Sequence, residues 1–314
     1  ARDALEALSN YQTYYARHGL TTAQDGATSL ELLKALYGIA QTGQLKLDLA
    51  AYPHVKSAAE FDETQISDKT YDNHFRRAGI KLVLDGSPQG KTAWLTHPFH
   101  EPPDGKADDY AGYPIMEDED VNAIIKQAFE RKIQVIAHAN GDAAADQLIN
   151  AVKLANAALG QTDHRTVMIH AQTVRADQVL AMKAEGIIPS YFASHTFFWG
   201  DWHRDSVLGE ARAARISPLK SSLDAGITFT IHNDAPIVPP DMIRLMWAAV
   251  NRETRSGKIL GPDERISGME ALKAVTINAA YQNFEEDTKG SLTAGKIADL
   301  VILSANPTTV SPRD

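Results

Sequence analysis

The 314-residue chain contains no cysteine, so disulfides and thiolate metal sites are excluded and any metal must be held by His, Asp, Glu or a modified Lys. It also lacks any apolar stretch approaching the roughly 18 residues that a membrane helix needs. No run of Lys or Arg resembles a nucleic-acid or anionic-membrane patch, and the balance of 31 basic against 40 acidic residues gives a formal charge of −9. A small-molecule substrate is therefore expected, with neither nucleic acid nor membrane as partner. The opening ARDALEALSNYQTYYARHG reads as a helix rather than a secretory leader, and a cytoplasmic location is expected. With 44% hydrophobic and 23% charged residues, the chain is long enough to bury a sizeable core.

What is present is a rhythm. Short β-branched and apolar runs fall near residues 22–25, 46–52, 80–84, 134–139, 166–171, 187–192 and 227–232, and helical patterns occupy 119–132, 142–159, 175–186 and 216–226. Asp142 and Ser217 stand where helix N-caps are expected, and Gly186 and Gly226 where helices stop. Repeated strand-helix units predict a parallel sheet wrapped by helices. Two segments interrupt it: 85–116, rich in Gly, Pro and aromatics, is read as a lid or binding loop, and 194–209 as a second such loop. Near the end, IADLVIL after Gly290 reads as a strand outside the barrel wall.

Three of the strands end in metal-ligand residue types: QVIAHANGD at His138, TVMIHAQTV at His170 and TFTIHNDAP at Asp234. His138 and His170 are 32 residues apart and His170 and Asp234 are 64 apart, one and two strand-helix units of roughly 30 residues each. Strand ends of a parallel barrel carry chemistry at one rim, so these three side chains are expected to meet there. Neutral imidazoles suit zinc, manganese or iron, and a carboxylate binds the same ion while taking a proton from its water. Each residue also has a plainer reading, the histidines as packing residues and Asp234 as a cap of the turn at Ala235-Pro236. His232, two residues before Asp234, faces the same side by strand alternation and is an auxiliary ligand or substrate contact. His195 is expected to face substrate, His203 to lie at the surface, and Trp94, with Phe197, Phe198 and Trp199, to line an apolar pocket.

The strand ends, together with the block ISGMEALKAVTINAAYQNFEEDTKGSLTAGKIADLVIL and the segment KLVLDGSPQGKTAWL, resemble the metal-dependent amidohydrolase superfamily, in particular its amidohydrolase-3 branch of formamide-deformylase-like and exoenzyme-regulator-like hydrolases. That resemblance implies a TIM-type (β/α)8 barrel, here residues 1–284, and a small β-sandwich of which 285–314 would be the C-terminal segment. It implies hydrolysis of C–N bonds in amides, formamides or cyclic amides by a metal-activated water, with Asp234 as the proton-transferring residue. It also implies Lys81 as a further ligand, which requires carboxylation because an ammonium has no lone pair to give. The metal set is then Lys81, His138, His170 and Asp234, holding one or two divalent ions, zinc foremost. One departure stands out. The superfamily's His-x-His pair on its first strand is absent from this sequence, so the barrel is expected to lack that strand and the chain to be a fragment of a longer product. Two unpaired barrel edges follow, favouring a homo-oligomer, together with a weakly held ion or none and low activity of the isolated chain. The alternative is a catalytically impaired barrel serving as a pseudoenzyme or binding protein.

Overall fold

The computed structural model describes residues 2–57, 60 and 70–313. Eight parallel strands form two hydrogen-bonded groups, β1 (Thr22–Thr28), β2 (Asp48–Pro53) and β3 (Phe75–Arg77) in one, and β4 (Gly79–Val83), β5 (Gln134–Ala139), β6 (Val167–His170), β7 (Ile188–Tyr191) and β8 (Thr230–Ile231) in the other. Only Ala78 separates β3 from β4, and a bridge from His54 to Lys81 with Val55 N–H donating to the Lys81 carbonyl joins the groups. The β2 partner offset changes from Leu49 opposite Phe75 to His54 opposite Lys81. Residues 75–83 are thus one kinked strand with a one-residue slip, and the sheet runs as seven parallel staves in sequence order. The α/β architecture is that of a TIM-like barrel. Among the described residues β1 pairs only with β2 and β8 only with β7. The side chain of Gln282 spans between these outer strands, accepting from the Thr230 hydroxyl at 2.7 Å and donating to Gln24 Oε1 at 3.3 Å.

Strand alternation sorts the side chains into two layers. Ala50, Tyr52, Ile136, Val167, Ile169 and Ile188 pack together inside the sheet, whereas Val135, Ala137, Ala139 and Met168 face the helices. Both faces being buried, the strands read as continuous apolar runs rather than alternating ones. The helix α4 (Asp142–Leu159), as named here, offers Ala144, Ala145, Leu148, Ala151, Val152 and Ala155 to that outer layer at three- and four-residue spacing. Full burial of a leucine such as Leu148 contributes roughly 1.5–3 kcal/mol.

Several expectations are corrected in detail. The N-cap of α4 is Gly141, not Asp142, whose carboxylate instead accepts from Thr96 N at 2.9 Å. Helix 216–226 shortens to Leu219–Asp224, and Ser217, at φ +47°, donates its hydroxyl to Gln172 instead of capping. Gly186 does end its helix, in left-handed conformation at φ +73°. Segment 194–209 is not a loop: His195–Trp202 is helical and continues into a π-helical turn, His203–Val207. Its crowded aromatic and polar composition hides the helical period. Segment 85–116 has no helix or strand, but it is packed. Ala93, Leu95 and Phe99 form a satellite core with Val207, Leu208, Ala213, Ile216 and Leu260. Residues 297–303, read as a strand, join no sheet among the described residues, their Ile297 N–H donating only to the Thr288 carbonyl at 2.9 Å, and leave Ile302 97% exposed; a strand without a partner strand has no ladder to form.

Candidate metal centre

Each site residue is placed by the end of its strand. His138 follows Ile136 on the inner face of β5. Its Nε2 lies 2.9 Å from the Gly86 carbonyl, which only accepts, and 3.0 Å from the Asn140 amide nitrogen, which only donates. With Nε2 donating to Gly86, Nδ1 is left bare, 3.0 Å from Nε2 of His170. His170 is a departure from regular strand geometry. Its ladder neighbours Ala139 and Tyr191 face the helix layer, so alternation alone would send His170 outward. A left-handed backbone at φ +76° turns the imidazole inward instead. Strain of this kind, at a non-glycine residue, is typical of functional positions. His232 Nε2 then lies 3.1 Å from His170 Nδ1, and His232 Nδ1 lies 3.0 Å from the Ser190 hydroxyl.

With His138 donating to Gly86, the protons run in one direction along the chain. Ser190 donates to His232, His232 to His170, His170 to His138 and His138 to Gly86. Burial keeps the imidazoles neutral: it lowers His138 to about 4 and His232 to about 3, and holds His170 well below the ordinary range, with neighbouring histidines adding to the shift. Neutral imidazoles are the form that ligates metals.

Asp234, also left-handed at φ +56°, brings its carboxylate to this cluster. Ligand atoms of His170, His232 and Asp234 all lie within 4.8 Å of one another, a set that could hold a metal ion. Burial raises the Asp234 carboxyl, and the nearby Lys81 ammonium partly offsets that. Lys81 itself is 6% exposed, and its ammonium makes no hydrogen bond or ion pair among the described residues. Burial lowers it to about 8, against the attraction of Asp234.

The site contains one group that the sequence reading missed. Asp85, 1% exposed, accepts from the backbone N–H groups of Asn140 at 2.9 Å, Gly141 at 2.7 Å and Trp94 at 3.0 Å, and lies 3.5 Å from His138 Nε2. It straps the segment after β4 to the β5–α4 junction and steadies the ring of His138. Burial outweighs those three donors and pushes its carboxyl up to about 7. In the sequence Asp85 looks like the first residue of a turn, and only the fold supplies its three donors. Trp94 belongs to this strap through its backbone, while its half-buried side chain packs against the main core. His195 is buried beside Phe192, whose ring is 4.8 Å from it and 5.5 Å from His232. His203, expected at the surface, is fully buried.

Comparison with known proteins places these observations among relatives. A family model described as Amidohydrolase family matches residues 1–314. The chain is 26% identical over 316 aligned residues to an N-substituted formamide deformylase of Arthrobacter pascens, covering 97% of this chain and 56% of that protein. It is 28% identical to the putative amidohydrolase YtcJ of Bacillus subtilis strain 168, over 74% of this chain and 43% of that one. Among solved structures, an uncharacterized metal-dependent hydrolase from Pyrococcus furiosus superposes with a TM-score of 0.81 at 27% identity, covering 98% of this chain and 61% of the other. The chain thus spans about half the length of the curated relatives it matches.

Proposed function

Because the chain belongs to the amidohydrolase family, we propose that it is the barrel part of a metal-dependent hydrolase acting on C–N bonds of amides, formamides or cyclic amides. The reading rests on one observation above all: Lys81, His138, His170, His232 and Asp234, drawn from four strands, share one buried neighbourhood. Fold alone would not carry it.

The donor set fits a divalent ion, zinc foremost. His138 offers a bare Nδ1 oriented by the Gly86 carbonyl, the kind of outer support that metal-binding histidines commonly have. In the proposal His138, His170 and Asp234 hold the ion, and His232 assists. Lys81 joins them once its neutral amine has added carbon dioxide to give a carbamate, and the lowered affinity of Lys81 for its proton makes that amine accessible near neutral pH. When bound, such an ion lowers the pKa of water toward 7 and polarises a carbonyl. Asp234 Oδ accepts the proton of the attacking water and returns it to the leaving nitrogen. The Asp85 strap keeps His138 in register. Trp94 and His195 are assigned to the substrate side. The A. pascens relative's name, N-substituted formamide deformylase, makes N-substituted formamides the first substrates to assay.

Elemental analysis and hydrolysis assays on the purified chain test this. A divalent ion, weakly held, that is lost in His138→Ala and kept in Asp234→Asn is expected, with Asp234→Asn lowering any turnover by on the order of 10²–10⁴-fold. A chain that takes up no divalent ion would instead favour a barrel that binds without catalysing.

A further inference from the structure

Next to the cluster lies a second imidazole pair that the proposed chemistry does not use. The rings of His195 and His203 are nearly parallel, 16° apart with centroids at 5.2 Å, and Nδ1 of His195 is 2.9 Å from Nε2 of His203. His195 is 2% exposed and His203 is fully buried. Burial keeps both rings uncharged, lowering His203 to about 3 and His195 well below the ordinary range.

Two neutral imidazoles sharing one hydrogen bond admit two proton placements. If His195 donates from Nδ1, His203 carries its own proton on Nδ1, an atom that is fully enclosed and without a partner. If His203 donates from Nε2, that enclosed atom is only a bare lone pair, and the proton of His195 sits on Nε2. Orphaned buried N–H groups are the rarer of the two defects in folded proteins, so the second placement prevails. Nε2 of His195 makes no hydrogen bond among the described residues, yet it is not one of the fully enclosed orphan atoms. It is the ring nitrogen of the pair that remains free to meet something from outside. The Phe192 ring, in contact with His195, His232 and His170 at centroid distances of 4.8, 5.5 and 6.4 Å, sets His195 one ring away from the candidate metal centre.

We propose that His203 is a positioning residue that locks His195 as an Nε2–H donor, and that this donor binds an acceptor oxygen, carboxylate or carbonyl, of the substrate beside the metal centre. The substrate half rests on the hydrolase reading; the tautomer half does not.

Nitrogen-15 spectra of the histidine rings in the full chain, assigned with His195→Asn, read the tautomer without any turnover. A protonated Nε2 and a bare Nδ1 at His195 are expected, and the reverse overturns the proposal. Formate serves as the oxygen probe. It is expected to shift the His195 Nε2–H signal in the wild type and in His203→Gln, whose amide N–H can replace the lost donor, and to lose that effect in His203→Phe. Should His203→Phe fail to fold, the wild type and His203→Gln still decide. A signal that formate leaves unmoved in the wild type overturns the substrate half while the tautomer stands. Absence of metal uptake, by contrast, would strike the hydrolase reading and leave the tautomer result intact.

Discussion

At the scale of single residues, the chemistry-bearing types were legible and their support was not. His138, His170 and Asp234 stood out because β-branched runs end on them at strand-helix spacing. Nothing local announces that Asp85 gathers three backbone donors, two of them from residues 55 and 56 positions later. Nor does composition reveal that His203 is enclosed rather than exposed. Asp85 therefore makes a sharp test. In Asp85→Asn one acceptor oxygen becomes a donor amide facing N–H groups that have no other partner, and hydrogen bonds to a charged acceptor contribute about 1.5–3 kcal/mol. A loss of that order is expected in chemical denaturation, without change of fold by circular dichroism. Gly141→Ala should cost at least as much for a different reason. A Cβ at Gly141 would lie 1.8 Å from the Trp94 carbonyl oxygen, and backbone approaching that closely requires glycine. Wild-type stability in both variants would remove the strap from the account of how His138 is held.

At the scale of elements, periodicity located strands well where both faces are buried. The run at 134–139 coincides with β5; that at 22–25 is the first part of β1, a strand buried only at Thr28. It did poorly where local chemistry competes with pattern. The strand read at 227–232 shrinks to Thr230–Ile231, and a helix hid inside the aromatic-rich 194–209. The span 85–116 was read correctly as irregular, but its role as a lid does not follow from irregularity. Leu95 N–H donates to the Ala111 carbonyl at 2.7 Å, Phe99 N–H to Tyr110 at 3.0 Å, and His100 N–H to Val207 at 2.9 Å. With Phe99 2% exposed and stacked on Tyr110, this span is built as a fixed wall. Native-state hydrogen exchange is expected to find these three amides protected. Phe99→Ala, which removes a buried ring at a cost of about 3–5 kcal/mol, should release them while amides in β5 and β6 stay protected, since the satellite core is separate from the main one. Fast exchange at all three in the wild type would restore the mobile-lid reading.

At the scale of the whole molecule, the parallel order was readable because helical patterns separate the later strands, but the joining of β3 to β4 through a one-residue slip was not. A slip depends on register against β2, which is a long-range property. What the whole molecule adds chemically is a store of uncharged histidines. His164, stacked on Phe129 with Nε2 donating to the Glu185 carbonyl and Nδ1 accepting from Thr166 N–H, precedes the start of β6 whereas His170 of the metal cluster ends that strand, and burial lowers its pKa as it does for His195 and His203. In the unfolded chain each titrates near 6.5. Below that pH the unfolded state therefore binds more protons than the folded one, and stability falls as pH falls. The contribution of these groups is complete above about pH 6.5 and drains away down to the folded-state values, which for His203 means about pH 3. Each group can remove up to about 1.4 kcal/mol per pH unit, and the three act in the same direction as pH falls from 7 to 5. Calorimetric unfolding of metal-free protein in buffers of different ionisation enthalpy should find a falling Tm and net proton uptake across that range. The substitution His164→Gln retains an acceptor for Thr166 N–H and a donor for Glu185, and should flatten the slope by at most one proton. A Tm that does not change from pH 7 to 5 would mean that these rings already hold their protons in the folded barrel, against the burial that encloses them.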